Sequence, residues 1–303
     1  MIDWKKYYLK LYGKQWIVGI GEGSLEDIIR TRQFSVRMKW ICPADNQSSY
    51  ADPFVYRTAS GLPGLLLETV SNTRLDGRID RIELDAAFEP TRIQTALDFA
   101  PHLSYPHIFQ EGNLWYVFPE SAHAGQLFGY SFDPLTGQLS QPRQILPLPV
   151  LDATLLQYEG SYWLFGTLAG PNKHGELHIY YSDSLFGPYK PHAGNPVRRG
   201  LNGTRPAGNF ISVDGGLYRP AQNCARWYGE SLTVNRVLLL NENEFKEEPY
   251  LTINPAQLGR EFFGIHTLNG VGNYIVVDAL RGRFLPGRQL WQFVSGRLFK
   301  RVP

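Results

Sequence analysis

The chain has 303 residues, 43% hydrophobic and 19% charged, which excludes a disordered polymer and allows one large all-β domain or two ordinary ones. Its 30 basic and 28 acidic residues nearly cancel and form no basic stripe, so nucleic acid is not an expected partner. Cys42 and Cys224 are too few for a disulfide framework, no apolar run reaches the ~18 residues of a membrane span, and the N-terminus lacks a signal-peptide core, so a cytoplasmic setting is expected.

Gln15-Trp16-Ile17-Val18-Gly19-Ile20 reads as a strand. Gly23 to Arg30 reads as a short helix, with Ser24 as N-cap and Asp27 three residues on. Strands dominate from there. In Ser49-Tyr50-Ala51-Asp52-Pro53-Phe54-Val55-Tyr56 the proline biases Asp52 toward extended backbone and sets its carboxylate at the entrance of a buried strand.

A hairpin is then written three times. Glu111-Gly112-Asn113 leads into Leu114-Trp115-Tyr116-Val117-Phe118, Glu159-Gly160-Ser161 into Tyr162-Trp163-Leu164-Phe165, and Asp214-Gly215-Gly216 into Leu217-Tyr218. Looser copies turn at Gly61 and Gly272. Further strands are legible in Gln126 to Phe132 and Leu177 to Ser182. Five copies at roughly 50-residue intervals, each with room for four strands, predict an all-β, five-bladed β-propeller. The N-terminal strand is expected to close the ring by pairing with the last blade, whose strands include Gln289 to Val294 and Arg297 to Arg301. Residues 1–303 read as a single domain with a short lead-in over 1–13. Most of the 17 Tyr, 17 Phe and 7 Trp then belong to packing, Trp115 and Trp163 between blades among them.

The first strand of each blade lines the channel, so the strand starts converge. Counting back from each turn glycine gives Asp52, Ser104, Asp152, Ala207 and Gly264, with His107, Asn209 and His266 just inside. Neither histidine has an acidic neighbour in sequence, so no transition-metal site is predicted.

Ala51-Asp52-Pro53-Phe54, Leu151-Asp152-Ala153 and Tyr180-Tyr181-Ser182-Asp183-Ser184-Leu185-Phe186-Gly187-Pro188-Tyr189 resemble glycoside hydrolase family 43 and its relatives. Tyr105-Pro106-His107-Ile108-Phe109, Phe118-Pro119-Glu120-Ser121 and Asn195-Pro196-Val197 resemble more closely the N-terminal propeller of glucosamine inositolphosphorylceramide transferase-like proteins, over about residues 14 to 290. The hydrolase resemblance implies an inverting reaction with three acids. Asp52 matches the general base, and Asp152 matches the acid that tunes and orients. The expected general-acid Glu is missing, for the fourth blade begins Thr204-Arg205-Pro206-Ala207-Gly208-Asn209-Phe210. Glu120 is the best substitute, Glu230 a weaker one, and Glu68 reads as a structural or rim residue. His266 matches a position that the family places near a channel cation or water. No cofactor is otherwise expected, and a channel calcium is compatible with that match.

Arg205 cannot give up a proton near neutral pH but can clamp a carboxylate or phosphate, and Arg219 and Gln222 are expected to extend that wall. The expected ligand is therefore a carbohydrate, with a uronic acid or sugar phosphate suiting the wall. Two functions follow. One is a carbohydrate-active enzyme, glycosidase or glycosyl-transferring. The other is a non-catalytic glycan- or sugar-phosphate-binding propeller accessory to a glycosyltransferase.

Overall fold

A computed structural model describes residues 13–45, 47–74, 76–99 and 102–283. Five antiparallel sheets succeed one another around a ring, one per repeat. Blade one holds Ser48–Arg57, Pro63–Ser71, Gly77–Leu84 and Pro90–Leu97, and blade two Ser104–Glu111, Leu114–Glu120, Leu127–Phe132 and Arg143–Leu146. Blade three holds Val150–Tyr158, Ser161–Leu168, Glu176–Ser182 and the short pairings Lys190–Pro191 and Arg198–Arg199. Blade four is built from Asn202–Pro206 with Ile211–Val213, then Gly216–Asn223, Ser231–Leu240 and Phe245–Ile253. Blade five takes Phe262–Gly264, Leu268–Val271 and Tyr274–Arg283 from late in the chain, and Gly13–Glu22 and Lys39–Ile41 from its beginning.

The ring therefore closes as expected. Gly13–Glu22 pairs along its whole length with Tyr274–Arg283, from Gly13 opposite Arg283 to Glu22 opposite Tyr274. This removes the edges that an open ring would expose. The segments Gln289 to Val294 and Arg297 to Arg301 lie outside the described residues.

Local chemistry explains the repeat. In blades three and four the hairpin turns need left-handed backbone at both central residues, Glu159 (φ +50°) with Gly160 (+82°) and Asp214 (+49°) with Gly215 (+75°). Such turns match the twist of the strands they join. A Cβ at Gly160 or Gly215 would meet nothing, so conformation rather than space selects glycine there.

The predicted helix forms over Leu25–Thr31, with Ser24 Oγ accepting from the Glu26 and Asp27 amides. Its buried Ile28 and Ile29 pack with Val234, Ile253, Leu268 and Val277 in the core between blades four and five. Trp163 is buried and Trp115 packs at the edge of another cluster, the packing roles expected of them.

Candidate functional site

The first strands of blades one to three each break register next to their second strands, between Ala51 and Phe54, Ser104 and His107, and Leu151 and Thr154. These are β-bulges, and each holds one residue in left-handed backbone: Asp52 (φ +50°), Tyr105 (+42°) and Asp152 (+50°). Asp52 is thus not extended, because the bulge overrides the bias of the following proline. The bulge also re-aims its carboxylate. In blade two the equivalent position is Tyr105, one residue beyond the Ser104 expected from counting.

A second ring of positions faces the bulges. Glu68 pairs with Ala51, Glu120 with Ser104 and Thr167 with Leu151, while Gln222 and Asp278 hold the corresponding places in blades four and five. All five side chains are buried. Asp278 escaped the reading of single motifs. The signal that finds it is register: Leu66-Leu67-Glu68, Phe118-Pro119-Glu120, Phe165-Gly166-Thr167, Pro220-Ala221-Gln222 and Val276-Val277-Asp278 align, each with its polar residue last.

The channel thus holds five carboxylates in two groups, with Glu68 coupled electrically to both. In the first group the Asp278 carboxylate accepts from the amides of Asp52 (3.0 Å), His266 (2.9 Å) and Thr267 (3.0 Å) and faces His266 Nδ1 at 2.8 Å. The other ring nitrogen, Nε2, lies 3.2 Å from Asp52 Oδ1, which also accepts from the Thr267 hydroxyl at 2.8 Å. Burial pulls the His266 pKa down, but Asp278 and Asp52 outweigh it and the net is upward.

Asp52, His266 and Asp278 could be read as a metal cluster, since a ligand atom from each lies within 4.8 Å of the others. Asp278 already accepts from three backbone amides and Asp52 from the Thr267 hydroxyl. Calcium takes about six to eight oxygen ligands, so two carboxylates and an imidazole do not by themselves make the calcium seat that the family resemblance allowed.

The second group is built on Arg205. Its guanidinium forms a bidentate pair with Asp152, through Nε to Oδ2 and through Nη2 to Oδ1 at 3.0 Å, and Nη2 lies 3.6 Å from Glu120 Oε2. Nη1 meets His174 Nδ1 at 3.3 Å. Gln222 donates to Asp152 Oδ2 at 2.8 Å, and the Asp152 amide donates to Glu120 at 3.2 Å. The expected cationic wall is therefore spent: Arg205 neutralises the protein's own acids and leaves no fork for a uronate or phosphate.

Three of these acids are pushed up. Asp52 rises to about 6, first through burial and then through Asp152 and Asp278, against the opposing pull of His266. Glu120 rises to about 8, through burial and Asp152, with Arg205 opposing. Glu68 stands well above the carboxylate range through burial and its neighbours Asp52, Glu120, Asp152 and Asp278, so it belongs to the channel and not to the rim.

Four sequence candidates fall outside these groups. Arg219 turns away, onto Glu247 (2.6 and 2.8 Å) and the carbonyls of Gly203 (2.7 Å) and Thr204 (3.2 Å), because alternate residues of a strand face opposite sides. His107 packs among Phe54, Phe109 and Phe118 and accepts from the Leu155 amide at 3.0 Å; burial holds it down to about 3, only partly offset by Asn209. It is a neutral core histidine. Asn209 is half-buried and tied through its amide to Asn269, beside the channel wall rather than among the acids. Glu230 is taken up by Arg226, which donates to it through its amide and guanidinium.

Residues 41–271 match the family described as glucosamine inositolphosphorylceramide transferase 1, N-terminal. A protein of that name from Arabidopsis thaliana is 36% identical over 265 residues, which is 83% of this chain and 33% of the plant protein. Its namesake from Oryza sativa subsp. japonica is 35% identical over 217 residues, 69% of this chain and 29% of the other. The chain thus spans about a third of the length of these relatives. Among solved structures, the α-L-arabinofuranosidase of Podospora anserina in complex with cellotriose superposes with a TM-score of 0.58 at 10% identity, over 81% of this chain and 95% of that one. A family-43 glycoside hydrolase from Bacillus licheniformis gives 0.52 at 14% identity, over 72% and 50%. At such identities the likeness is one of fold.

Proposed function

Because the chain belongs to the glucosamine inositolphosphorylceramide transferase 1 N-terminal family, we propose that it handles carbohydrate at its central channel and that the channel is catalytic, with Asp52 as base and Glu120 as acid. The observation that carries this reading is the division of two buried carboxyls in one channel across neutral pH. Asp52, at about 6, is mostly ionised at pH 7, and Glu120, at about 8, is mostly protonated. Environments that drive two titratable groups apart are how one site holds an acid and a base together. Asp52 takes a proton from water or an acceptor hydroxyl as its oxygen bonds the anomeric carbon. Glu120 gives its proton to the departing glycosidic oxygen as the old bond breaks. Asp152, fixed by Arg205 and Gln222, touches Glu120 through its amide and keeps that carboxyl oriented. Hydrolysis or transfer measured on neutral pentosides and hexosides tests this. D52N and E120Q should each lower the rate by about 10²–10⁴. Wild type no faster than D52N on every substrate would end the catalytic reading.

A second reading has its own support. Arg205 stands where the resembling hydrolases carry their acid, and it is locked into ion pairs, which suits a propeller that binds a glycan without cleaving it. Calorimetric binding of a glycan by a protein without turnover would favour it.

A further inference from the structure

We propose that Tyr228, backed by Trp16, forms a stacking subsite at the mouth of the acid channel for the apolar face of a neutral pyranose. The proposal rests on the carbohydrate reading above and adds the ligand's charge class and the residue that recognises it. Tyr228 lies in the loop between the second and third strands of blade four. It bridges the two acid groups. Its ring centroid lies 5.3 Å from the Arg205 guanidinium carbon and 5.0 Å from the His266 ring, which it meets edge-on, with His174 at 5.5 Å and Trp16 at 6.3 Å. Trp16 in turn lies against His266, with centroids 4.1 Å apart.

Tyr228 is nonetheless 38% exposed, and among the exposed large apolar side chains of the described residues it is the one in contact with Arg205 and His266.

The loop is held rigidly. The Ile265 amide donates to the Gly229 carbonyl at 2.8 Å, Trp227 Nε1 to the Phe263 carbonyl at 3.2 Å, and the Glu230 amide to the Asn223 carbonyl at 3.0 Å. A Cβ at Gly229 would come within 2.8 Å of the Trp16 ring, and one at Gly264 within 2.7 Å of the Gly229 carbonyl. Both glycines are therefore needed for the loop to seat on blade five. A pre-positioned ring loses little conformational freedom when it is covered, which is why rigid aromatics make good recognition surfaces.

The chemistry selects the ligand. A pyranose has an apolar face of C–H groups and a polar rim; the ring suits the face and the acids below suit the hydroxyls. Arg205 is already paired with Asp152 and lies beside Glu120, so a uronate or a sugar phosphate finds no free guanidinium next to the Tyr228 ring, and the subsite takes neutral sugars.

Calorimetry on the full chain, with methyl glycosides of glucose, galactose, xylose and arabinose beside methyl glucuronoside and glucose 6-phosphate, tests the proposal. At least one neutral glycoside should bind, and the charged sugars should bind at least about tenfold more weakly. Y228A should weaken the neutral ligand about tenfold, and Y228F should stay within about twofold. Circular dichroism and melting check that Y228A folds; if it does not, Y228L keeps the apolar volume without the aromatic face and should show the same loss. Unchanged affinity in Y228A or Y228L, or a charged sugar bound as tightly as a neutral one, overturns the proposal and leaves the carbohydrate reading standing. Binding of none of these sugars at millimolar concentration removes both.

Discussion

The two halves of the channel solve one problem, buried negative charge, by different means. On the side of blades five and one, the His266 imidazole stands between Asp52 and Asp278, and backbone amides donate to the Asp278 carboxylate. On the side of blades three and four, a guanidinium grips Asp152 in a bidentate pair and reaches toward Glu120. The first arrangement can exchange a proton near neutral pH, whereas the second is fixed, because a guanidinium stays charged at any pH a protein tolerates. Catalytic polarity follows: the adjustable half holds the proposed base, and the fixed half holds the orienting carboxylate against the proposed acid.

Removing the fixed cation is the harshest way to break this comparison. R205M leaves Asp152 and Glu120 buried beside each other without their guanidinium, and losing one partner of a buried pair costs about 3–5 kcal/mol. The urea midpoint should fall accordingly, and Glu120 should become still harder to ionise. D278N is milder. It keeps the shape but sets an amide NH2 against donors, which costs about 1–3 kcal/mol, and it lowers the His266 pKa by removing its nearest carboxylate. If the halves are independent, the R205M/D278N double variant loses the sum within about 0.5 kcal/mol; a larger deviation would show one coupled network in place of two devices.

The smallest effect is read from pH. Asp52 and Glu120 both sit above their ordinary values of 3.8 and 4.5, so the native state holds their protons more tightly than the unfolded chain does. Their contribution to stability is complete below those ordinary values and is lost as pH rises through about 6 for Asp52 and about 8 for Glu120. The melting temperature should therefore decline from mildly acidic to mildly alkaline pH. E120Q should flatten the upper part of that decline. An unchanged slope in E120Q would mean that Glu120 is not the group holding the proton.

What the sequence by itself determined is whatever depends on near neighbours. The acid–glycine turns, the apolar runs between them and their recurrence carry the five-bladed ring, because turn conformation and strand alternation are set within a few residues. The Ser24 cap was legible for the same reason, whereas Asp52 lies in the middle of Ser48–Arg57 and not at a strand entrance. The backbone of Asp52 was not legible, since its left-handed φ belongs to a bulge that exists only once the second strand is paired. Side-chain partnerships were least legible of all. Asp52 and Asp278 lie 226 residues apart in the chain and meet only because ring closure brings blade five against blade one. Arg205 reads in sequence as a free clamp for an anion, and the tertiary structure alone shows its charge already spent on Asp152. Charge compensation acts through space and not along the chain, so only the closed ring decided which acids meet and which cation each of them faces.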